Sequence, residues 1–235
     1  MRERAISSVP LPALALLGLA LAAQLGWHAL VPVRQTSDGA LRMPPSLATL
    51  RLAALGDQIA LSKLLMLQVQ AADSEGGNVA LGQLDYRALE AWLERVADLD
   101  PRAGYPLFVA GHIYAEGGDM GKKRQMLEFV YHRFLRDPNR HWGALAYVTL
   151  VAKHQLHDLP LALRYARALR QRATDPQVPP WASQMEVFVL EDMNELESAK
   201  ILVGGMLASG QLTDPNERAF LNRHLKALNA RTAGK

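Results

Sequence analysis

The 235-residue chain contains no cysteine, which excludes a disulfide framework, thiolate-bound zinc, iron–sulfur ligation and a lipoprotein-type thioether anchor. Aromatic residues make up only 6% of it, and β-branched residues never gather into alternating runs bounded by turn signals, so strands are not expected. Phosphate-cradling and nucleophile-elbow motifs are missing as well. The glycine pairs Gly76-Gly77, Gly117-Gly118 and Gly204-Gly205 lack a Lys-Ser/Thr partner or a GxGxxG order, and no GxSxG occurs. What remains abundant is leucine, alanine, arginine, glutamine and glutamate, the straight-chain helix formers. The chain reads as all-α and large enough to bury a core.

After Arg2, Glu3 and Arg4 no charged residue occurs from Ala5 through Val33. A helix from Val9 to Val31 would be roughly 35 Å long at about 1.5 Å per residue, enough to cross a hydrocarbon core. Pro10 and Pro12 fit a helix start, Pro32 fits a stop, and Trp27 suits an interface. The basic n-region and the Ala20-Leu21-Ala22 site also suit a cleaved signal peptide, but the apolar run continues past that site and favours an anchor. Either way the remainder is exported. The expected organisation is a short cytoplasmic tail (1–8), a membrane helix (9–31), a polar linker (32–45), a helical domain (46–230) and a short tail (231–235).

Within that domain Asp-Pro recurs at Asp100-Pro101, Asp137-Pro138, Asp175-Pro176 and Asp214-Pro215, at spacings of 37, 38 and 39 residues. The residue before a proline is pushed out of the α region, and proline itself fits the first turn of the next helix. The period therefore marks helix pairs. First helices (A) are expected at Gly104–Glu116, His141–Leu156 and Pro180–Met193, and second helices (B) at Met120–Leu135, Leu159–Arg172 and Glu195–Ser209. An earlier pair, Gln58–Ala72 and Tyr86–Leu99, is signalled by the capping residues Asp57 and Asp85, with a Gly-rich loop from Ser74 to Gly82 between them. A last helix, Asn216–Ala230, would close the array.

Trp142 with Ala146, then Ala162 and Pro176, and Trp181 with Ala199 and Pro215, follow in the order that tetratricopeptide repeats use; Tyr105, Gly111 and Pro138 follow it more loosely. From about residue 57 to 230 the chain resembles that family, in units longer than the usual ~34 residues. It also looks like bacterial envelope proteins in which one N-terminal membrane helix carries a short tetratricopeptide domain. The resemblance implies an α-solenoid whose A helices line an inner surface that binds other proteins. On that analogy Arg102, Arg140, Tyr147 and Glu186 are the expected inward-facing, partner-binding residues, with Trp142 and Trp181 packed between helices.

Charge is unevenly placed. Residues 101–177 hold 12 basic against 6 acidic side chains and residues 178–217 hold 1 against 7, a blockwise pattern that suits docking between proteins better than a nucleic-acid stripe. Arg164, Arg167 and Arg170 form a basic stripe that is the second choice for a partner or lipid contact, the alternative being a plain solvated face. His154 and His157 share an i, i+3 spacing without a Glu-x-x-His companion, and the carboxylates Glu186, Glu191, Asp192, Glu195 and Glu197 lack a calcium-loop order, so both read as solvated surface. No cofactor or metal is implied, and no enzyme. Two functional readings follow: a membrane-anchored interaction scaffold or assembly factor on the periplasmic side of a bacterial inner membrane, or a permanent accessory subunit of a membrane complex. The small residues Ala13, Gly18, Ala22 and Gly26 would allow the close helix contact that the second needs.

Overall fold

A computed structural model describes residues 10–30, 41–74, 84–210, 212 and 214–233. The expected tail 1–8, the linker through residue 40 and the glycine-rich loop from 75 lie outside those residues. Every regular element described is helical, and no strand occurs among the described residues. The chain divides into two units, Met1–Gly39 and Ala40–Lys235.

The first unit contains α1, Leu11–Leu30. No single helix among the described residues is long and apolar enough to cross a membrane.

Among the described residues the second unit is a run of ten helices: α2 (Leu47–Ala53), α3 (Gln58–Ser74), α4 (Tyr86–Leu99), α5 (Tyr105–Gly117), α6 (Met120–Arg136), α7 (Pro138–His154), α8 (Leu159–Arg172), α9 (Pro180–Asp192), α10 (Leu196–Ala208) and α11 (Pro215–Ala233). Helix α5 starts as Tyr105–Val109, widens to a π-helical turn over Ala110–Tyr114 and ends as Ala115–Gly117. Consecutive helices from α6 to α11 pack on one another; α5 also meets α7 and α7 meets α9, and α9 is joined to α11 by Gln184 to Glu217 and Glu191 to His224.

The Asp-Pro pairs punctuate this array by a recurring local bond. Asp100, Asp175 and Asp214 each accept the backbone N–H two residues on, from Arg102, Gln177 and Asn216, at 3.2, 2.8 and 2.8 Å. Asp100 and Asp137 stand at φ/ψ of −129°/83° and −145°/78°, outside the α region as a following proline dictates. Proline then occupies the first turn of α7, which therefore begins at Pro138, three residues before the His141 expected from pattern. Asp57 and Asp85 cap α3 and α4 by accepting from Ala60 and Arg87, each at 2.9 Å.

Apolar side chains at helical spacing fill the interior. Met126, Leu127, Val130 and Phe134 of α6 and Leu161, Tyr165, Ala166 and Leu169 of α8 are buried in one cluster that runs from Leu50 to Val189. A second, smaller cluster joins Val187 and Leu190 of α9 to α10 and α11. The last residues of the expected linker belong to the domain. Leu41 packs against the main core, the Arg42 carbonyl accepts from Trp92 Nε1 at 2.7 Å, and Pro45 O accepts from Arg95 Nε at 3.3 Å.

Side-chain bonds between elements recur at a near-constant separation: Ser62 to Val96 O, Arg133 to Asp98, Asn139 Oδ1 to the N–H groups of Thr174 and Asp175, and Gln184 to Glu217 join residues 33 to 36 apart, slightly less than the Asp-Pro spacing.

Candidate protein-binding face

The A helices carry exposed rings, and the rings meet across each junction. On α5, Tyr105, Phe108 and His112 follow one another at helical spacing. Tyr105 and Phe108 stack with centroids 6.2 Å apart, and Phe108 and His112 at 4.3 Å. His112 then stacks on Tyr147 of α7 at 3.5 Å. Gly111 allows this approach, since its backbone lies so close to α7 that a Cβ there would stand 3.1 Å from Val148 Cγ1 and 3.5 Å from Tyr147 Cδ1. Trp142 of α7 meets Trp181 of α9 edge-to-face at 5.5 Å and 72°. Phe188 of α9, two turns beyond Trp181, meets His224 of α11 at 5.7 Å, and His224 stacks on Phe220. At the other end, Gln70 of α3 donates to the Tyr105 hydroxyl at 2.7 Å.

These rings are not core. Phe108 is 47% and Trp181 50% exposed, and Tyr105, Phe188 and Phe220 are exposed as well. Trp181 therefore does not fill the packing position expected of it; Trp142 does so in part, half-buried against the main core. Burial first, and the Glu116 carboxylate second, push the Tyr147 phenol above its ordinary value, so it stays neutral. The His112 ring is held by its Nδ1, 3.1 Å from the Phe108 carbonyl oxygen.

The expected site residues separate. Tyr147 lies in the ring series. Arg140 is exposed on α7 and spends its guanidinium on Asp137 at 3.0 Å, and Arg102 is exposed in the turn before α5. Glu186 does not face outward. It is 3% exposed and accepts from Arg167 Nε at 3.0 Å and Arg170 Nε at 2.6 Å, which makes it the buried anchor of an α8–α9 ion pair. That arrangement also changes the basic stripe. Arg164 pairs with Glu128 and lies over the Tyr131 and Tyr165 rings at 4.9 and 5.2 Å, so all three arginines already have carboxylate partners. Farther along the B helices, Arg133, itself buried, pairs with Asp98 at 2.5 Å and Glu94 at 3.2 Å, and Arg136 shares both carboxylates.

The acidic group at the end of α9 is likewise partly internal: Glu191 is held by His224 at 2.6 Å and Arg231 at 2.5 Å. His154 and His157 are exposed, as a solvated helix end requires.

Composition alone did not reveal Phe108, His112, Phe188, Phe220 and His224. A usable signal existed, because His112 and Tyr147 are 35 residues apart and Phe188 and His224 are 36 apart, both close to the 37–39-residue repeat. Comparison of the chain with known protein families, with curated proteins and with solved structures finds no match.

Proposed function

We propose that the chain is a membrane-tethered interaction scaffold that docks a segment of another protein along the A-helix face, with the helical domain on the periplasmic side of a bacterial inner membrane. The observation that carries the reading is the series of half-buried and exposed rings that bridges α5 to α7, α7 to α9 and α9 to α11, flanked by the exposed Tyr105, Phe108 and Phe220. Rigid aromatic rings bury much area at little conformational cost and dominate the energetics of protein interfaces. Their mutual contacts pre-order them before a partner arrives, which lowers the entropic cost of binding. Membrane attachment is supported by the uncharged run from Ala5 to Val33. Stacked helix pairs present such faces to peptides or helices of partners.

A photo-crosslinking residue placed at Phe108, and separately at Trp181, in the full chain within its native membrane tests the docking face. Both positions are expected to capture the same protein, while a probe at Arg167 on the B side does not. Phe108→Ser with Trp181→Ser is expected to weaken that capture at least about tenfold with the melting temperature little changed, because the lost rings are exposed. Undiminished capture by a stably folded double variant would overturn the assignment.

A further inference from the structure

The corner between α2 and α3 is the most exposed apolar feature of the helical domain, and it lies outside the ring series. Leu52 at the end of α2 is 79% exposed, Leu55 in the turn is 95% exposed, and Ile59 in the first turn of α3 is more than half exposed. Leu64 and Leu67 extend exposed aliphatic surface along the free side of α3, opposite the buried Ser62, Leu65, Met66 and Val69. Leu55 also stands at φ +48°, the left-handed region that a branched side chain rarely adopts, followed by Gly56 at φ +98°. A turn that places its bulkiest side chain in water at a strained position is explained when that side chain has an apolar destination.

We infer that this corner dips into the lipid surface, with Leu52, Leu55 and Ile59 below the headgroups and the exposed Arg51 and Lys63 at the level of headgroup phosphates. Three observations select lipid over protein. The exposed set is purely aliphatic, whereas protein hot spots are rich in Trp, Tyr and Arg and poor in Leu. Arg51 and Lys63 carry the charge of an anionic-lipid contact, and the carboxylate between them, Asp57, is committed to capping α3 through Ala60 N–H. The two helices, bent by 112° at their junction, together have the length and apolar content of a broken membrane segment, although their inward side chains sit in the protein core. The inference also draws on the tether proposed above.

The absence of cysteine permits single-site labelling of the full chain. Leu55→Cys, Leu52→Cys, Ala20→Cys in α1 and Asn229→Cys in α11 would each carry a nitroxide in vesicles of phosphatidylethanolamine and phosphatidylglycerol. Collision rates with oxygen and with a water-soluble nickel chelate then report depth. At positions 52 and 55 the oxygen-to-chelate ratio is expected to be several-fold above that at 229 and to fall between 229 and 20. Labels at 52 and 55 as open to the chelate as 229, with 20 in lipid, would overturn the corner's insertion and leave the tether standing. A label at 20 open to the chelate while 52 and 55 are shielded in lipid would overturn the tether alone. Shielding of 52 and 55 from both relaxants would also overturn the inference, since it would mean that protein, a second copy or a partner, covers the corner.

Discussion

Glu186 offers a test in which burial and solvation pull the two halves of one ion pair apart. Its side chain is 4% exposed, whereas those of Arg167 and Arg170 are 51% and 31% exposed. Replacing Glu186 by Gln removes the charge from two hydrogen bonds but strands nothing, because the freed guanidinium groups reach water; the cost should be about 1–2 kcal/mol. Replacing both arginines by Met leaves a carboxylate with almost no access to solvent and no cation, which should cost about 3–5 kcal/mol, less whatever the chain recovers by letting water in. A third variant, Glu186→Met in the double-Met background, removes the stranded charge and should recover most of that loss. For a domain of this size about 1 kcal/mol corresponds to roughly 2–4 °C, so the double-Met variant should melt about 2–16 °C below the Glu→Gln variant in thermal unfolding followed by circular dichroism. Equal destabilisation by the two, or no recovery in the triple variant, would show that Glu186 is not held as a buried charge. Arg167 and Arg170 would then again be free to meet a partner.

Three further outcomes are expected. His141 is buried at the start of α7, and burial foremost, opposed by Asp137 and reinforced by Arg133 and Arg140, lowers its pKa below the ordinary 6.5. The unfolded chain therefore binds the proton first on acidification, so stability should fall as pH drops through 6.5 and level off once the folded imidazole is also charged; His141→Gln should flatten that slope in melting curves between pH 8 and 5. The Tyr165 hydroxyl is buried beside Glu128 and Arg164 without a well-formed hydrogen bond to either, and burial first and Glu128 next push its pKa far above the usual phenol value, so Tyr165→Phe should be neutral or stabilising by up to about 1 kcal/mol in denaturant titration, and a clear loss would show that one of these contacts is a working bond. Gly111→Val should cost about 1–3 kcal/mol because its side chain would collide with Val148, and the same denaturant titration would contradict the close α5–α7 approach if stability were unchanged.

Helix positions were readable because local chemistry sets them. Asp-Pro cannot continue a helix, Asp57 and Asp85 satisfy free N–H groups, and the apolar residues of α6 repeat on one face. Side-chain direction on α9 was not readable in this way. Ala182, Gln184, Met185, Glu186, Val187, Val189 and Leu190 are all buried, because α9 is wedged between α8 and α10 and also meets α7. A helix covered on most of its circumference has no polar stripe to reveal its orientation. Glu186 therefore looked like surface while Trp181, at the helix start, looked like core. Helix α2 was missed for a different reason. Its seven residues are too few to show a period, and it stands only because Ser46 caps it, Thr49 N–H donating to Ser46 Oγ at 3.2 Å, and Leu50 enters the core.

The division of the interior into two clusters bears on how the array opens. The large one runs from α2 to Met185 and Val189 of α9, whereas α10 and α11 rest on seven buried side chains from Val187 and Leu190 of α9 to Leu228. Repeat arrays lose order from the end with the weakest interface, so amide hydrogens in α10 and α11 should exchange with solvent well before those of α6 to α8. Phe220 and His224, the last rings of the A-face series, ride on that fraying end. A ligand that covers them would close α11 down and slow its exchange, whereas one confined to Phe108 and Tyr147 would leave the exchange of α11 as it was.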